Sequence, residues 1–151
     1  MLGKETRGRF APHSFDRTAL EQLFGIPGTC QGFIIEDGDS GGILAYAVVR
    51  KGYLDHERER LALYGWQCDE QADCSYAPSV ADAWQGRGLG SRLLDRVRKE
   101  LRHQGIRRMV LWGGVQATNL LALTYYKKHG FRELGRFEWN GSNIDMALDT
   151  I

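Results

Sequence analysis

Three glycines on alternate positions stand directly before a strongly amphipathic helix, and this junction constrains the fold more than any other part of the chain. The stretch Gln85–Ser91 reads Q-G-R-G-L-G-S and follows a predicted strand. Glycine lacks a Cβ, so backbone N–H groups here can approach a bound anion closely. The start of the helix adds unpaired N–H groups and a partial positive charge. The segment therefore predicts a loop that cradles phosphate.

The helix after this loop is well marked by its apolar periodicity, and Gly105 predicts its end. Its apolar face consists of Leu89, Leu93, Leu94, Val97 and Leu101. The G-x-G-x-G spacing differs from the dinucleotide-binding fingerprint and lacks the Gly-Lys-Ser/Thr of the nucleotide P-loop. A tight turn without a ligand is the alternative interpretation of such glycines.

A second motif, N-L-L-A-L-T-Y-Y-K-K-H-G-F, occupies residues 119–131. Together with Gln85–Ser91 it resembles the GCN5-related N-acetyltransferase superfamily, in which the loop binds the pyrophosphate of acetyl-CoA. In that family the second segment forms a helix whose Asn and Tyr lie near the thioester. The matching positions are Gln85, Gly88, Gly90, Asn119, Ala122, Tyr126, Gly130 and Phe131. The resemblance extends from about Cys74 to the C-terminus, and more loosely over residues 33–50.

This resemblance implies an α/β (α+β) acyl-CoA N-acyltransferase fold. Such a fold has a mixed, mostly antiparallel sheet with a central splayed parallel strand pair and flanking helices. Residues 1–151 are expected to form one domain of this type, because 151 residues suffice for a single core. The implied activity is acetyl transfer from acetyl-CoA to a primary amine of a small molecule or a protein, by direct attack on the thioester.

The resemblance also assigns coenzyme-binding positions. Backbone groups of Val80 and Ala81, on the splayed strand, are expected to meet the pantetheine arm and to stabilise the oxyanion. The expected coenzyme-binding residues are Val80, Ala81, Gln85, Gly86, Arg87, Gly88, Leu89, Gly90, Ser91, Asn119, Ala122, Tyr126 and Lys128. Asn119 has a competing role as a helix N-cap.

Tyr126 is the candidate acid that protonates the departing thiolate, because a phenol has a pKa near that of a thiol. Its neighbour Tyr125 points elsewhere on the helix, and packing is the competing role for either ring. Relatives commonly carry a glutamate as general base about ten residues before the loop glutamine, where this chain has Ser75. Serine is a poor base, so Asp73 is the alternative, or the amine arrives deprotonated. Asp69 and Glu70, together with Asp73, could instead attract a cationic amine.

Composition excludes several other classes of protein. The formal net charge of +1, with basic and acidic residues interleaved, argues against a nucleic-acid partner. No long apolar run predicts a membrane span or secretory signal, so a cytoplasmic location is expected. Cys30, Cys68 and Cys74 lack metal-site spacing, and no metal is expected; a Cys68–Cys74 disulfide is conceivable but free thiols are favoured.

The remaining segments predict the order of elements. A helix is expected over 15–24, capped by Asp16 or Thr18, and a hairpin of strands over 32–36 and 42–49. Residues 51–73 form an insertion of unassigned structure. A strand over 74–82, a helix over 89–104, a strand over 108–112, a helix over 119–129 and a hairpin of 131–139 with 144–148 complete the chain. Pro78 suggests a bulge or interruption in its strand.

The first strand of the family is missing from the sequence pattern, because only a polar stretch precedes Phe15. The sheet edge near Phe33 would then be open, and either the N-terminal segment or a second subunit could cover it, which makes a homodimer a hypothesis. Two other interpretations compete with that of an acetyltransferase. One is a non-catalytic acyl-CoA binding or sensor module of the same fold, and the other is a nucleotide-phosphate binder with unrelated chemistry.

Overall fold

The computed structural model describes residues 2–10, 12–149 and 151. Two helices, α1 (Lys4–Gly8) and α2 (Arg17–Phe24), precede the sheet. Asp16 caps α2, since its side chain accepts a hydrogen bond from the N–H of Ala19 at 2.9 Å. The predicted helix and the first of its two candidate caps are confirmed.

Strands β1 (Cys30–Glu36) and β2 (Ile43–Lys51) form the predicted antiparallel hairpin, with Phe33 opposite Ala47. The unassigned insertion contains a helix, α3 (Asp55–Leu63). This helix packs on one face of the sheet in a cluster of Tyr53, Leu61, Trp66, Val110 and Ala147. The charged run that obscured α3 in the sequence lies largely in solvent, whereas Glu57 and Leu61 are buried.

A strand, a helix and a parallel strand follow as predicted: β3 (Asp73–Val80), α4 (Leu89–His103) and β4 (Arg108–Leu111). The apolar stripe of α4 is buried against the opposite face of the sheet from α3. Of the two alternatives expected at Pro78, the bulge is absent, because β3 pairs with β2 without a register shift, with Pro78 opposite Ala47. The interruption occurs on the other side, where the pairing of β3 with β4 ends at Tyr76. Proline is tolerated here because its missing N–H points to the side where β4 has already separated from β3.

The chain then forms β5 (Val115–Gln116), α5 (Leu120–Lys128), β6 (Arg132–Glu138) and β7 (Ser142–Leu148). The helix and the closing hairpin are confirmed, but the hairpin turn lies one to two residues earlier than predicted. Trp139 donates its N–H to the carbonyl of Gly141, and β7 therefore begins at Ser142. The two-residue strand β5 was not predicted because it is too short to show alternation.

In the described part of the chain, seven strands form one sheet in the order β1-β2-β3-β4-β7-β5, with β6 also paired to β7. Only β3 and β4 are parallel, so the sheet is mixed and mostly antiparallel, as the predicted fold class requires. Within the described residues no strand precedes β1, and none pairs with its outer edge. The segment before Phe15 instead packs on a sheet face, where Phe10 and His13 contact Tyr46.

Cys30, Cys68 and Cys74 are free thiols, so no Cys68–Cys74 disulfide is present. Across the described part of the chain, His, Cys, Asp and Glu side chains form no group of three that could hold a metal ion. No described helix combines the length and apolar character needed to cross a lipid bilayer.

Candidate active site

The glycine-rich loop lies exposed between a 3-10 turn (Asp82–Trp84) and α4. Gly86 and Gly88 have φ values of 73° and 80°, in the left-handed region that favours glycine. The side-chain amide of Gln85 donates to the carbonyl of Val80 at 3.3 Å and holds the loop against the end of β3. Arg87 is exposed, and its guanidinium stacks on the ring of Trp84 at 4.8 Å.

The first turn of α4 contains backbone donors that the helix itself does not use. Gly88 is the N-cap and supplies no side-chain cap. The first intrahelical bond runs from the N–H of Arg92 to the carbonyl of Gly88, so the three preceding N–H groups have no partner within the helix. These donors belong to Leu89, Gly90 and Ser91. A helix N-terminus of this kind attracts phosphate.

Helix α5 packs closely across this first turn. A Cβ added at Gly90 would lie 3.4 Å from the hydroxyl oxygen of Tyr125, so a small residue suits this contact. The hydroxyl of Ser91 lies 2.9 Å from Nε2 of His129. His129 had no assigned role in the sequence, and no local pattern marks a bond between residues so far apart in the chain.

Strands β3 and β4 separate beside the loop. Their parallel pairing ends at Tyr76 and Leu111, although Trp112 still donates its N–H to the carbonyl of Tyr76 at 2.9 Å. Alternation along β3 then directs the carbonyl of Pro78 and the N–H of Val80 into the gap that β4 leaves. The N–H of Ala81 points the other way and donates to the carbonyl of Leu44, so it is committed within the sheet.

A small cavity of about 50 Å³ occupies this gap. Its walls are Arg9, Phe10, Tyr76, Ala77, Pro78, Leu111, Trp112, Gly114 and Tyr126. Tyr126 therefore reaches the opening between the strands, while Tyr125 packs against α4. Burial raises the pKa of Tyr126, so its hydroxyl stays protonated at neutral pH. The hydroxyl of Tyr76 is buried here without a hydrogen-bond partner in the described structure.

The other predicted coenzyme-binding residues of the second motif lie on α5 or at its start. The side-chain oxygen of Asn119 accepts from the N–H of Ala122 at 3.2 Å, so Asn119 is the N-cap of α5. Ala122 packs at the edge of the main core. Lys128 is exposed in the last turn of the helix, and the bond between Ser91 and His129 places that turn beside the start of α4.

Neither of the two candidate bases lines the cavity. Asp73 is fully buried at the start of β3 and accepts from Arg108 at 2.7 Å, from the hydroxyl of Tyr53 at 2.7 Å and from the N–H of Asp69 at 2.7 Å. Seven residues of extended strand separate it from Val80, about 23 Å. The hydroxyl of Ser75 is also buried and donates to the carbonyl of Gly52 at 2.8 Å. The geometry supports neither residue as the base.

The remaining acidic residues of this cluster lie at the same distant end of the sheet. Glu70 accepts hydrogen bonds from Arg58, the shorter at 2.6 Å, and Asp69 lies 3.7 Å from Arg107. The cluster is thus balanced by arginines and does not line the gap between β3 and β4. An attraction of the acceptor amine by these carboxylates has no support in the structure.

Sequence analysis missed three residues beside the gap. Arg9 and Phe10 line the cavity although they lie in a polar N-terminal stretch without periodicity. The segment is anchored near the loop, because Asp82 accepts hydrogen bonds from the N–H of Gly3 at 3.1 Å and the hydroxyl of Thr6 at 2.7 Å. The third residue is Glu57, buried on α3 and bonded to the N–H of Gly113 at 2.8 Å.

Several solved structures share this architecture. The GNAT domain of S. lividans PAT superposes with a TM-score of 0.74 at 21% identity, covering 98% of this chain and 78% of that chain. The yncA protein of Salmonella typhimurium, determined with its cofactor acetyl-CoA, gives a TM-score of 0.60 at 22% identity, covering 86% and 68%.

The ribosomal-protein-S18-alanine N-acetyltransferase from Escherichia coli gives a TM-score of 0.65 at 18% identity, with coverages of 97% and 85%. These likenesses establish the fold. No curated protein sequence matches the chain significantly. The model of the acetyltransferase (GNAT) family matches residues 4–131, which include the glycine-rich loop, the separated strands and Tyr126, and on this ground the chain belongs to that family.

Proposed function

We propose that this chain transfers an acetyl group from acetyl-CoA to a primary amine of a small molecule or a protein. The observation that carries the proposal is the gap between β3 and β4, which joins the uncapped first turn of α4 to the cavity at Tyr126. Family membership supports acetyl-CoA as the co-substrate in general terms.

The residues around the gap fit acetyl-CoA. The N–H groups of Leu89, Gly90 and Ser91 suit its pyrophosphate, and Gly86 and Gly88 let the loop backbone approach without a side chain. Arg87, exposed beside the loop, suits a further phosphate contact. The carbonyl of Pro78 and the N–H of Val80 suit the amides of the pantetheine arm. Bound acetyl-CoA supplies an activated thioester carbonyl.

The chain must then provide two kinds of help to the transfer. The N–H of Val80, fixed at the end of β3, is placed to stabilise negative charge that develops on the carbonyl oxygen. Tyr126 lines the cavity, and its hydroxyl suits donation of a proton to the leaving sulfur. Because an alkyl amine has a pKa of about 10.4, the acceptor must also lose a proton before it can attack.

A primary amine is favoured as acceptor by the family and by the reaction that the name of the Escherichia coli neighbour states, on an alanine of a ribosomal protein. The direct test is release of free thiol from acetyl-CoA with a panel of amines: spermidine, a peptide with N-terminal alanine and a peptide with one lysine. We expect thiol release that depends on one of these amines, with a matching acetylated product by mass spectrometry. Coenzyme binding without any amine-dependent release would instead identify a non-catalytic acyl-CoA binding module.

A further inference from the structure

Glu57 is a buried carboxylate with one oxygen left without a partner. Its residue is 3% exposed, and Oε1 accepts a hydrogen bond from the N–H of Gly113 at 2.8 Å. Oε2 is buried and has no hydrogen-bond partner in the described structure. An unpaired oxygen of a buried acid costs free energy, which proteins tolerate mainly at functional positions.

Glu57 is hydrogen-bonded to the segment of chain that forms one wall of the cavity. Gly113, its partner, stands between Trp112 and Gly114, which both line the cavity. Trp112 is in turn bonded to the carbonyl of Tyr76, the last paired residue of β3. Helix α3 thus brings the carboxylate to the end of β4, on the sheet face opposite α4.

The charged groups that face Glu57 do not occupy Oε2, so this oxygen can still accept a proton. Arg60, on the same helix, lies 3.9 Å from Oε1 but makes two hydrogen bonds to Asp145 of β7, at 2.7 and 3.1 Å. The guanidinium also stacks on the ring of Phe137, from β6, at 3.8 Å. His56 adds a weak positive field from α3 itself. Burial raises the pKa of Glu57, although the N–H of Gly113 and the charge of Arg60 oppose the shift.

No described residue that lines the cavity is a carboxylate or an imidazole, and Asp73 and Ser75 are committed elsewhere. Glu57 is a buried acid bonded to the segment that follows β4, beside the opening between the strands. We propose that Oε2 of Glu57 accepts the proton of the acceptor ammonium group, a role that rests on the proposed function.

The proton balance of the step is complete without any further reactant. Oε2 takes one proton from the ammonium nitrogen, whose lone pair then forms the C–N bond to the thioester carbonyl carbon. The C–S bond breaks, and the sulfur takes the proton of the Tyr126 hydroxyl. Tyr126 regains a proton from the nitrogen of the new amide, and Glu57 releases its own proton to solvent.

Glu57→Gln tests the role because glutamine keeps an oxygen for the N–H of Gly113 and nearly the same shape. Glu59→Gln, on the exposed side of the same helix, is the matched control. With the amine of the panel that the wild type acetylates best, we expect kcat/KM of E57Q to fall about 100-fold. Its acidic limb in the pH profile should disappear, while CoA affinity stays at the wild-type value and the variant remains folded at the assay temperature. E59Q should match the wild type throughout.

An activity of E57Q within twofold of an active wild type across the pH range would overturn the role of Glu57 as the base. It would leave the proposed function intact. A wild type inactive on every amine would overturn both. A readout that needs no turnover is infrared titration of the apo protein. We expect a buried protonated carboxyl band that is lost as pH rises and is absent in E57Q; a band unchanged in E57Q would assign it to another acid and overturn the proposal.

Discussion

The hydroxyl of Ser91, in the first turn of α4, lies 2.9 Å from Nε2 of His129 at the end of α5. The ring of Tyr125 packs against the same imidazole, with ring centroids 4.5 Å apart. This contact joins the helix whose N-terminus suits a pyrophosphate to the helix that carries Tyr126. The orientation of the two helices therefore depends on a side chain for which the sequence indicated no role.

Removing the contacts of His129 with Ser91 and Tyr125 should weaken coenzyme binding. His129→Ala deletes both the hydrogen bond and the ring contact, and we expect a loss of about 1 kcal/mol in the free energy of unfolding. CoA affinity should fall several-fold, because the N–H of Ser91 is less firmly placed. Calorimetric titration with CoA measures the effect, and Thr124→Ala, exposed on the same helix, is the control. Unchanged affinity in the histidine variant would show that α4 holds its position alone.

Substitutions at two glycines, one at each end of α4, distinguish the cost of backbone strain from an effect on coenzyme binding. Gly88 and Gly105 have φ values of 80° and 79°, and a Cβ at either would meet nothing within 4 Å. Alanine at either position should therefore cost a similar 1–2 kcal/mol, since both force a side chain into the left-handed region. Only Gly88→Ala should also weaken CoA binding, by about tenfold, because it alters the loop. Equal CoA affinities of the two variants would mean that the loop is not the phosphate site.

The loop and α4 could be predicted because their signals are local. Positive φ favours glycine at a turn, and the apolar stripe from Leu89 to Leu101 repeats at helical spacing. In the sequence, the separation of β3 from β4 is indicated only indirectly, by Pro78, whose missing N–H faces the gap. No sequence signal indicates the contact of Ser91 with His129, since it depends on how two helices pack.

Replacing Tyr126 by Phe tests the proposed acid. The hydroxyl is lost with little change in packing, because the ring contacts with Phe131 and Tyr125 remain. We expect kcat to fall at least about 100-fold with unchanged CoA affinity. Tyr125→Phe is the matched control, because its hydroxyl faces Gly90 of α4. A kcat that falls equally in both variants would indicate a shared packing effect and no proton transfer by Tyr126.

Asp73→Asn distinguishes a structural carboxylate from a base. The substitution leaves Arg108 without its charged partner at the start of β3, and we expect a loss of about 3 kcal/mol in unfolding free energy. Since Asp73 lies far from the gap, kcat per folded molecule should stay within twofold of wild type. Denaturant titration and a rate assay below the melting temperature measure the two quantities. A selective loss of kcat would restore Asp73 as the base.

Glu57 shows why a buried acid bonded beside the cavity could not be found from the sequence. It lies within the run Asp55–Arg60, where every residue is charged or a histidine, and such a run predicts a solvated surface. Its burial comes from tertiary contact, since the N–H of Gly113 and the cluster around Trp66 and Val110 meet α3 only in the folded chain. Conversely, Ser75 was predicted by counting back from Gln85, and Asp73 as a carboxylate close to it in the chain. Neither argument can show that the side chains are used elsewhere.

The raised pKa of Glu57 predicts how its contribution to stability depends on pH. The folded protein holds the proton to a higher pH than the unfolded chain does, so the native state binds more protons between the two pKa values. The contribution of Glu57 is therefore fully present below the unfolded pKa and is lost as pH rises through the folded pKa. The free energy of unfolding of wild type relative to E57Q should fall over this window, by at most about 1.4 kcal/mol per pH unit. Urea titrations of both proteins at a series of pH values measure the difference, and a difference that increases with pH would mean that the fold stabilises the charged form of Glu57.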